Sequence, residues 1–238
     1  AIAVLYALLA VKQSGAIPRH RTRLIWGCAE ETGCEDIRAY YASVPPALMT
    51  VTPDAAFPVI NSEKGRLECH FRKKDTSNGL VRFLSGGGAA NAVPDRAQAV
   101  LAIDPAQARA ALAAAPEGQC HLEIAPDGLC RLEAHGTATH AASPAKGCNA
   151  LSVLLKAIAA CPGAPAWAGT LAQTFPPQGA IRQVGPEETI TASLSAMKLE
   201  NGTLSGICEK RYPPTVSAES ERDQLVHDLE KIGFTVEV

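Results

Sequence analysis

The feature that most constrains this chain is residues 190–212, ITASLSAMKLENGTLSGICEKRY, where two long strand-forming runs flank Asn201 and Gly202. Asn-Gly supplies the two positive-φ positions of a tight turn, so the stretch predicts a long β-hairpin. Around it the sequence interleaves further strands and helices. QCHLEIAPDGLCRLEAHG reads as a second hairpin, turning at Pro126, Asp127 and Gly128. RLECHFRKK and GLVRFLSGG read as paired strands joined by the turn residues DTSNG. VPDRAQAVLAI and DPAQARAALAAA carry Ala-rich helical signals, each opened by Asp or Pro, and NALSVLLKAIAA and AESERDQLVHDLEKI predict two more helices. FTVEV closes the chain as a strand, and residues 162–186, rich in Pro and Gly, read as an irregular connection.

The first quarter of the chain has another character. AIAVLYALLAVKQ predicts a buried helix over residues 1–13, closed by Gly15. Eleven apolar residues are too few to cross a bilayer, which takes about 20, and no basic segment precedes them as in a signal peptide. RLIWG predicts a short strand, CEDIRAYYASV a helix, and LMTVTPDAAFPVI a second strand carrying Asp54 at its end. Alternating helices and strands imply an α/β layer with its functional groups at strand ends.

Composition narrows the function classes. Twenty-two basic against 24 acidic side chains, a net charge of −2, leave no electrostatic footprint for nucleic acid or an anionic membrane. The eight cysteines are irregularly spaced without a C-x-x-C pair, and read as mostly free, buried thiols of a cytoplasmic protein.

Six residues stand out for chemistry. Glu30 and Glu31 follow an apolar strand signal; such a pair can divide two roles, one carboxylate holding a metal and the other accepting a proton from water, although an exposed acidic turn looks the same in isolation. Asp54 sits in a proline-flanked turn and suits a hard or borderline divalent cation, or simply caps the turn. His140, among small neighbours in GTATHAASP, is placed to polarise a carbonyl or is merely exposed. The run SGGGAAN lacks the Lys-Ser/Thr of a P-loop and the spaced glycines of a dinucleotide fingerprint, so its glycines are read as a tight turn presenting Asn91. Arg211, at a strand end in EKRYPP, can grip a carboxylate with its planar fork, or is an ordinary surface arginine. The remaining histidines, 20, 70, 121, 135 and 227, are read as structural or exposed.

In order along the chain, RLIWGCAEETG, TPDAAFPVINSEKG, GGGAANAVPDRA, GTATHAASPAKGCNAL and EKRYPP resemble successive blocks of the co-catalytic dizinc exopeptidase family, the group of aminoacylase, glutamate carboxypeptidase and carnosinase, and most of all its PepV-like dipeptidase branch. The resemblance implies part of an α/β zinc-peptidase catalytic domain over residues 1–66 and an α+β lid or dimerisation-type domain with ferredoxin-like βαβ elements over 67–238. It implies Glu30 as general base, Glu31 and Asp54 as ligands of two divalent ions (zinc, with cobalt or manganese as substitutes), and His140 as the lid histidine on the scissile carbonyl. Asn91 and Arg211 would contact the substrate, a dipeptide or N-acyl amino acid, in a monomer or homodimer. The family's upstream H-x-D block, bridging aspartate and final histidine have no counterpart here, so the chain reads as a fragment without a full active site. The alternative is a non-catalytic lid-type interaction module.

Overall fold

The computed structural model describes residues 2–30, 33–53, 59–60 and 62–238. They form a mixed α/β chain of two units, Ala1–Asn61 and Ser62–Val238.

Two helices make up the regular structure of the first unit. Helix α1, Ile2–Gln13, ends where the Gly15 N–H reaches back to the Lys12 carbonyl at 3.3 Å. The expectation that it is buried is not met: none of its residues is, and Ile2, Leu5, Tyr6, Leu9 and Val11 are exposed. Helix α2, Glu35–Ser43, opens on Glu35 and Asp36, the charge its N-terminus favours. Neither expected strand appears among the described residues; 21–27 and 47–53 lie outside any regular element. A strand satisfies its backbone groups only beside another strand, and the described part of this unit supplies none.

The second unit is built on a nine-stranded sheet. Its strands are β1 (Gly65–Lys74), β2 (Val81–Gly87), β4 (Arg96–Leu101), β5 (Cys120–Ile124), β6 (Cys130–His135), β8 (Ala180–Gln183), β9 (Thr189–Glu200), β10 (Thr203–Tyr212) and β11 (Thr235–Glu237). They run β11-β1-β10-β9-β2-β4-β6-β5, with β8 also on β9, and every pairing among the described residues is antiparallel. A separate two-stranded ribbon joins β3 (Ala92–Val93) to β7 (Thr139–His140). The predicted β9–β10 hairpin forms, with Asn201 and Gly202 at φ +50° and +71°, and so does β5–β6.

Three expectations for this unit need correction. Strands β1 and β2 are not a hairpin: β10 and β9 lie between them, because β1 finds a ten-residue ladder along β10, from Gly65 against Tyr212 to Lys74 against Thr203. Residues 96–101 are strand, not helix. There Ala97, Ala99 and Leu101 are buried in alternation, a period of two that overrides the helix preference of alanine. Residues 162–186 are not all irregular, since they hold helix α5, Ala166–Thr174, and strand β8.

Helix α4, Ala150–Ala159, is the centre of the core. Leu151, Leu154, Leu155 and Ile158 are fully shielded, together with Trp167, Leu171 and Phe175 from α5 and its end and Leu84, Leu101, Leu132 and Leu194 from the sheet. Helix α3, Pro105–Ala111, is capped by Asp104, whose Oδ1 accepts from the Ala106 and Gln107 N–H groups. Helix α6, Ala218–Glu230, packs near β1 and β11 and is tied to the sheet through Glu221, which pairs with Lys210 at 2.5 Å and with Arg182. Burial alone would push the Glu221 carboxyl up, but the two cations outweigh it and hold its pKa below the ordinary glutamate value.

All eight cysteines are free, five of them buried. Burial pushes the Cys120 thiol up to about 11. No described helix is long and apolar enough to cross a membrane.

Candidate functional site

The residues picked from sequence fall into three groups. Glu30 lies in the first unit, His140, Asn91 and Arg211 lie in the second, and Glu31 and Asp54 lie outside the described residues. Among the described residues no group of three or more His, Cys, Asp or Glu side chains is assembled that could hold a metal ion. The two residues expected to hold divalent ions, Glu31 and Asp54, are not among those searched.

Glu30 is exposed and belongs to a turn that is stapled to α2. The Asp36 Oδ2 accepts the Cys28 N–H at 2.6 Å and the Ala29 N–H at 3.2 Å, and the Cys34 N–H donates to the Ala29 carbonyl at 2.7 Å. The Cys28 contact is the main reason the Asp36 carboxyl titrates below its usual value. Upstream, the Arg23 guanidinium donates to the Tyr40 hydroxyl at 2.7 Å and lies over its ring. A few polar contacts to one helix thus place the Glu30 turn.

His140 lies on the β3–β7 ribbon, and Asn91 immediately precedes it. Ala92 pairs with His140, and the Ala141 N–H donates to the Asn91 carbonyl at 2.9 Å. The ribbon is anchored where β9 has a gap on one side. There β9 pairs with β8 over Thr189–Ala192 and with β2 over Ala196–Leu199, leaving 193–195 without a strand neighbour on that side among the described residues. Two substitutes fill the gap. Asn149, the cap of α4, donates from Nδ2 to the Leu194 carbonyl at 2.6 Å, and the Ser195 hydroxyl donates to the Ala90 carbonyl at 2.5 Å. Gly87, at φ +69°, lets the loop pass this close: a Cβ there would stand 1.9 Å from the Ser195 carbonyl oxygen.

The imidazole of His140 is exposed, and its orientation is set by its own turn. Its Nδ1 accepts the Ala142 N–H at 3.1 Å, while its carbonyl accepts the Ser143 N–H at 2.9 Å. A ring nitrogen that accepts a hydrogen bond carries no proton, so the proton of the neutral ring sits on Nε2. The turn thereby leaves Nε2 as the hydrogen-bond donor of the neutral ring.

Arg211 is on β10, apart from that ribbon but linked to it through β9. Its Nε donates to Glu209 Oε1 at 2.7 Å, and Arg66 Nε donates to Glu209 Oε2 at 2.6 Å. Glu209 has no exposed side-chain surface. Sequence reasoning missed Glu209, although its spacing was visible: residues two apart on a strand share a face. It also missed Asn149 and Ser195, whose partners are 45 and 105 residues away in sequence.

A pocket of about 500 Å³ crosses the sheet between β11 and β2, lined by His70, Arg72, Gly87, Lys198, Ser205 and Glu237 among others. His140, Asn91 and Arg211 do not line it. We place the candidate chemistry at the ribbon and at Arg211, where donors are oriented, and not in this trough.

No protein-family model matches the chain. Two curated proteins are similar to part of it. The putative dipeptidase YtjP of Bacillus subtilis (strain 168) is 34% identical over 106 residues, 42% of this chain and 23% of that protein. The Beta-Ala-Xaa dipeptidase of Lactobacillus delbrueckii subsp. lactis is 32% identical over 100 residues, 40% of this chain and 21% of that protein. The match spans under a quarter of the length of either relative.

Proposed function

We propose that this chain is part of a hydrolase that cleaves the peptide bond of dipeptides, or the amide of N-acyl amino acids. The observation that carries the reading is the His140 ring. An N–H from its own turn occupies Nδ1 and leaves Nε2 as the donor of an exposed histidine whose turn is hydrogen-bonded to the Asn91 backbone, the arrangement a carbonyl-polarising histidine needs. The names of the two similar proteins, both dipeptidases, support the same class of substrate.

In this reading the substrate carbonyl oxygen accepts from His140 Nε2, and the charge that develops on that oxygen strengthens the bond. Glu30 takes the proton of the attacking water on its carboxylate and returns it to the leaving amine. Asn91 contacts the substrate next to His140, and Arg211 holds its carboxylate. Glu31 and Asp54 would be the ligands of divalent ions, zinc in the first place. Such an ion, when bound, supplies a Lewis acid and lowers the pKa of water.

The test is hydrolysis of a dipeptide panel, β-alanyl dipeptides included, by the longest protein that carries this chain. Wild type is expected to release free amino acids. Glu30→Gln should lower kcat by about 10²–10⁴-fold and His140→Ala by about 10²–10³-fold, whereas Arg211→Ala should act mainly on KM. Full turnover in Glu30→Gln, or no hydrolysis of any dipeptide by wild type, would overturn the proposal in favour of a non-catalytic interaction module.

A further inference from the structure

Cross-strand partners in an antiparallel sheet project from the same face. Arg66, Arg211 and Thr191 form one such row across β1, β10 and β9, and Glu68, Glu209 and Ser193 form the next on that face. Glu209 is the buried centre of the group, with each carboxylate oxygen taken by the Nε–H of a different arginine. The two arginines then differ. Arg66 commits a second nitrogen, Nη2, to Glu68, whereas neither Nη of Arg211 has a hydrogen-bond partner among the described residues.

Because a guanidinium is planar and rigid, fixing Arg211 by its Nε turns the Nη1–Nη2 edge away from Glu209. Arg211 is also mostly shielded, its side chain 19% exposed, so its free edge is held in place. Directly opposite stands Thr191, a residue only 6% exposed, whose hydroxyl has no hydrogen-bond partner among the described residues. Buried hydroxyls are normally hydrogen-bonded, and one without a partner calls for an explanation.

We infer that Thr191 and Glu209 complete, with Arg211, a receptor for a single carboxylate. Arg211 supplies two parallel N–H groups, Thr191 donates its hydroxyl to the same anion, and Glu209 is the positioning residue that orients the arginine. This rests on the reading of Arg211 given under the proposed function and adds two residues to it. The ligand class is a peptide or acyl amino acid with a free terminal carboxylate, and an amide in place of that carboxylate is rejected, because it offers an N–H where the receptor already presents donors.

Nuclear magnetic resonance titration of the whole chain with Ala-Ala and with its C-terminal amide, beside thermal melts of each variant, tests this. Wild type should prefer the acid by about tenfold or more. Thr191→Val should cut affinity for the acid by about five- to tenfold, leave the amide unchanged and leave Tm equal or higher, since it removes only an unpaired hydroxyl. Thr191→Ser should restore the preference. Glu209→Gln should bring the acid-to-amide ratio towards one and shift the Arg211 Nε–H resonance; should that variant fail to fold, Thr191→Val decides the matter. If Thr191→Val keeps the wild-type preference while Arg211→Ala loses it, the inference falls and the proposed function stands. If wild type does not distinguish acid from amide, the assigned role of Arg211 falls and takes the inference with it.

Discussion

In the first unit none of the described residues is buried, and α2 is joined to its surroundings by a handful of polar contacts; in the second, α4 alone has eight buried residues out of ten. Both units contain helices. Among the described residues only the second contains strands, because there each strand finds a neighbour to complete its ladder. The contrast separates what local sequence can do from what packing must do. A run such as Ile2–Gln13 can close its backbone hydrogen bonds within itself, but an apolar run such as RLIWG stays irregular until another chain segment pairs with it.

Amide hydrogen exchange gives the largest expected difference between the units. Amides of β9, β10 and α4 should open only with global unfolding, so their protection should exceed that of α1 by about 10³-fold or more if global stability lies in the usual range. Equal protection in α1 would show that the first unit is held as firmly as the second, and the comparison would break.

Paired truncations probe the same contrast energetically. Leu151, fully buried in α4, should cost about 2–5 kcal/mol on Leu151→Ala, through lost transfer energy and the cavity left behind. Leu9 in α1 is 42% exposed, and Leu9→Ala should stay within about 0.5 kcal/mol in chemical denaturation of the same chain.

The pattern of what could be read from sequence follows from the same physics. Helices α1, α2, α4 and α6 and the hairpins β5–β6 and β9–β10 were legible because their signals are local: a cap, a period, or a turn such as Asn201 and Gly202. Strand β4 was not, since Ala-rich RAQAVL favours a helix until β2 and β6 flank it. The partner of β1 was not legible either, because β10 lies about 140 residues away and the nearer β2 looked equally suitable. At the site, small residues around His140 and glycines before Asn91 pointed to exposed loops. That the two are brought together by one ribbon, and that Thr191 stands opposite Arg211, depends on pairings no local pattern encodes.

Glu221 sharpens the description of the second unit through pH. Its folded-state pKa is depressed, so it binds its proton less readily in the folded chain than in the unfolded one. It therefore adds stability that is fully present above the unfolded glutamate value and is lost as pH falls through the lower folded value. Glu221→Gln should cost about 3 kcal/mol near neutrality, because it leaves Lys210 buried without its counter-charge. The same substitution should flatten the acid limb of a plot of denaturation midpoint against pH. An unchanged acid limb would mean that other carboxylates govern it.

The smallest expected effect belongs to Asp36, and it bears on the residue with most at stake in the first unit. Asp36 is depressed chiefly by the Cys28 N–H, with Ile37 and Ala29 adding to it. By the same sign rule its support for the 28–30 turn is complete above the ordinary aspartate value and disappears as pH falls through its lower folded value. The Cys28 and Ala29 amide resonances should follow that titration, and in Asp36→Asn the response should vanish. Helix α2 should persist in the variant, since its internal hydrogen bonds do not pass through this side chain, and global stability should hardly change. On the proposed role of Glu30 as base, turnover by the longest protein that carries this chain should fall by less than in Glu30→Gln, because a loosened turn misplaces the carboxylate where the latter substitution removes it. If Asp36→Asn left both the amide shifts and turnover untouched, the Glu30 turn would be held by something other than the N-terminus of α2.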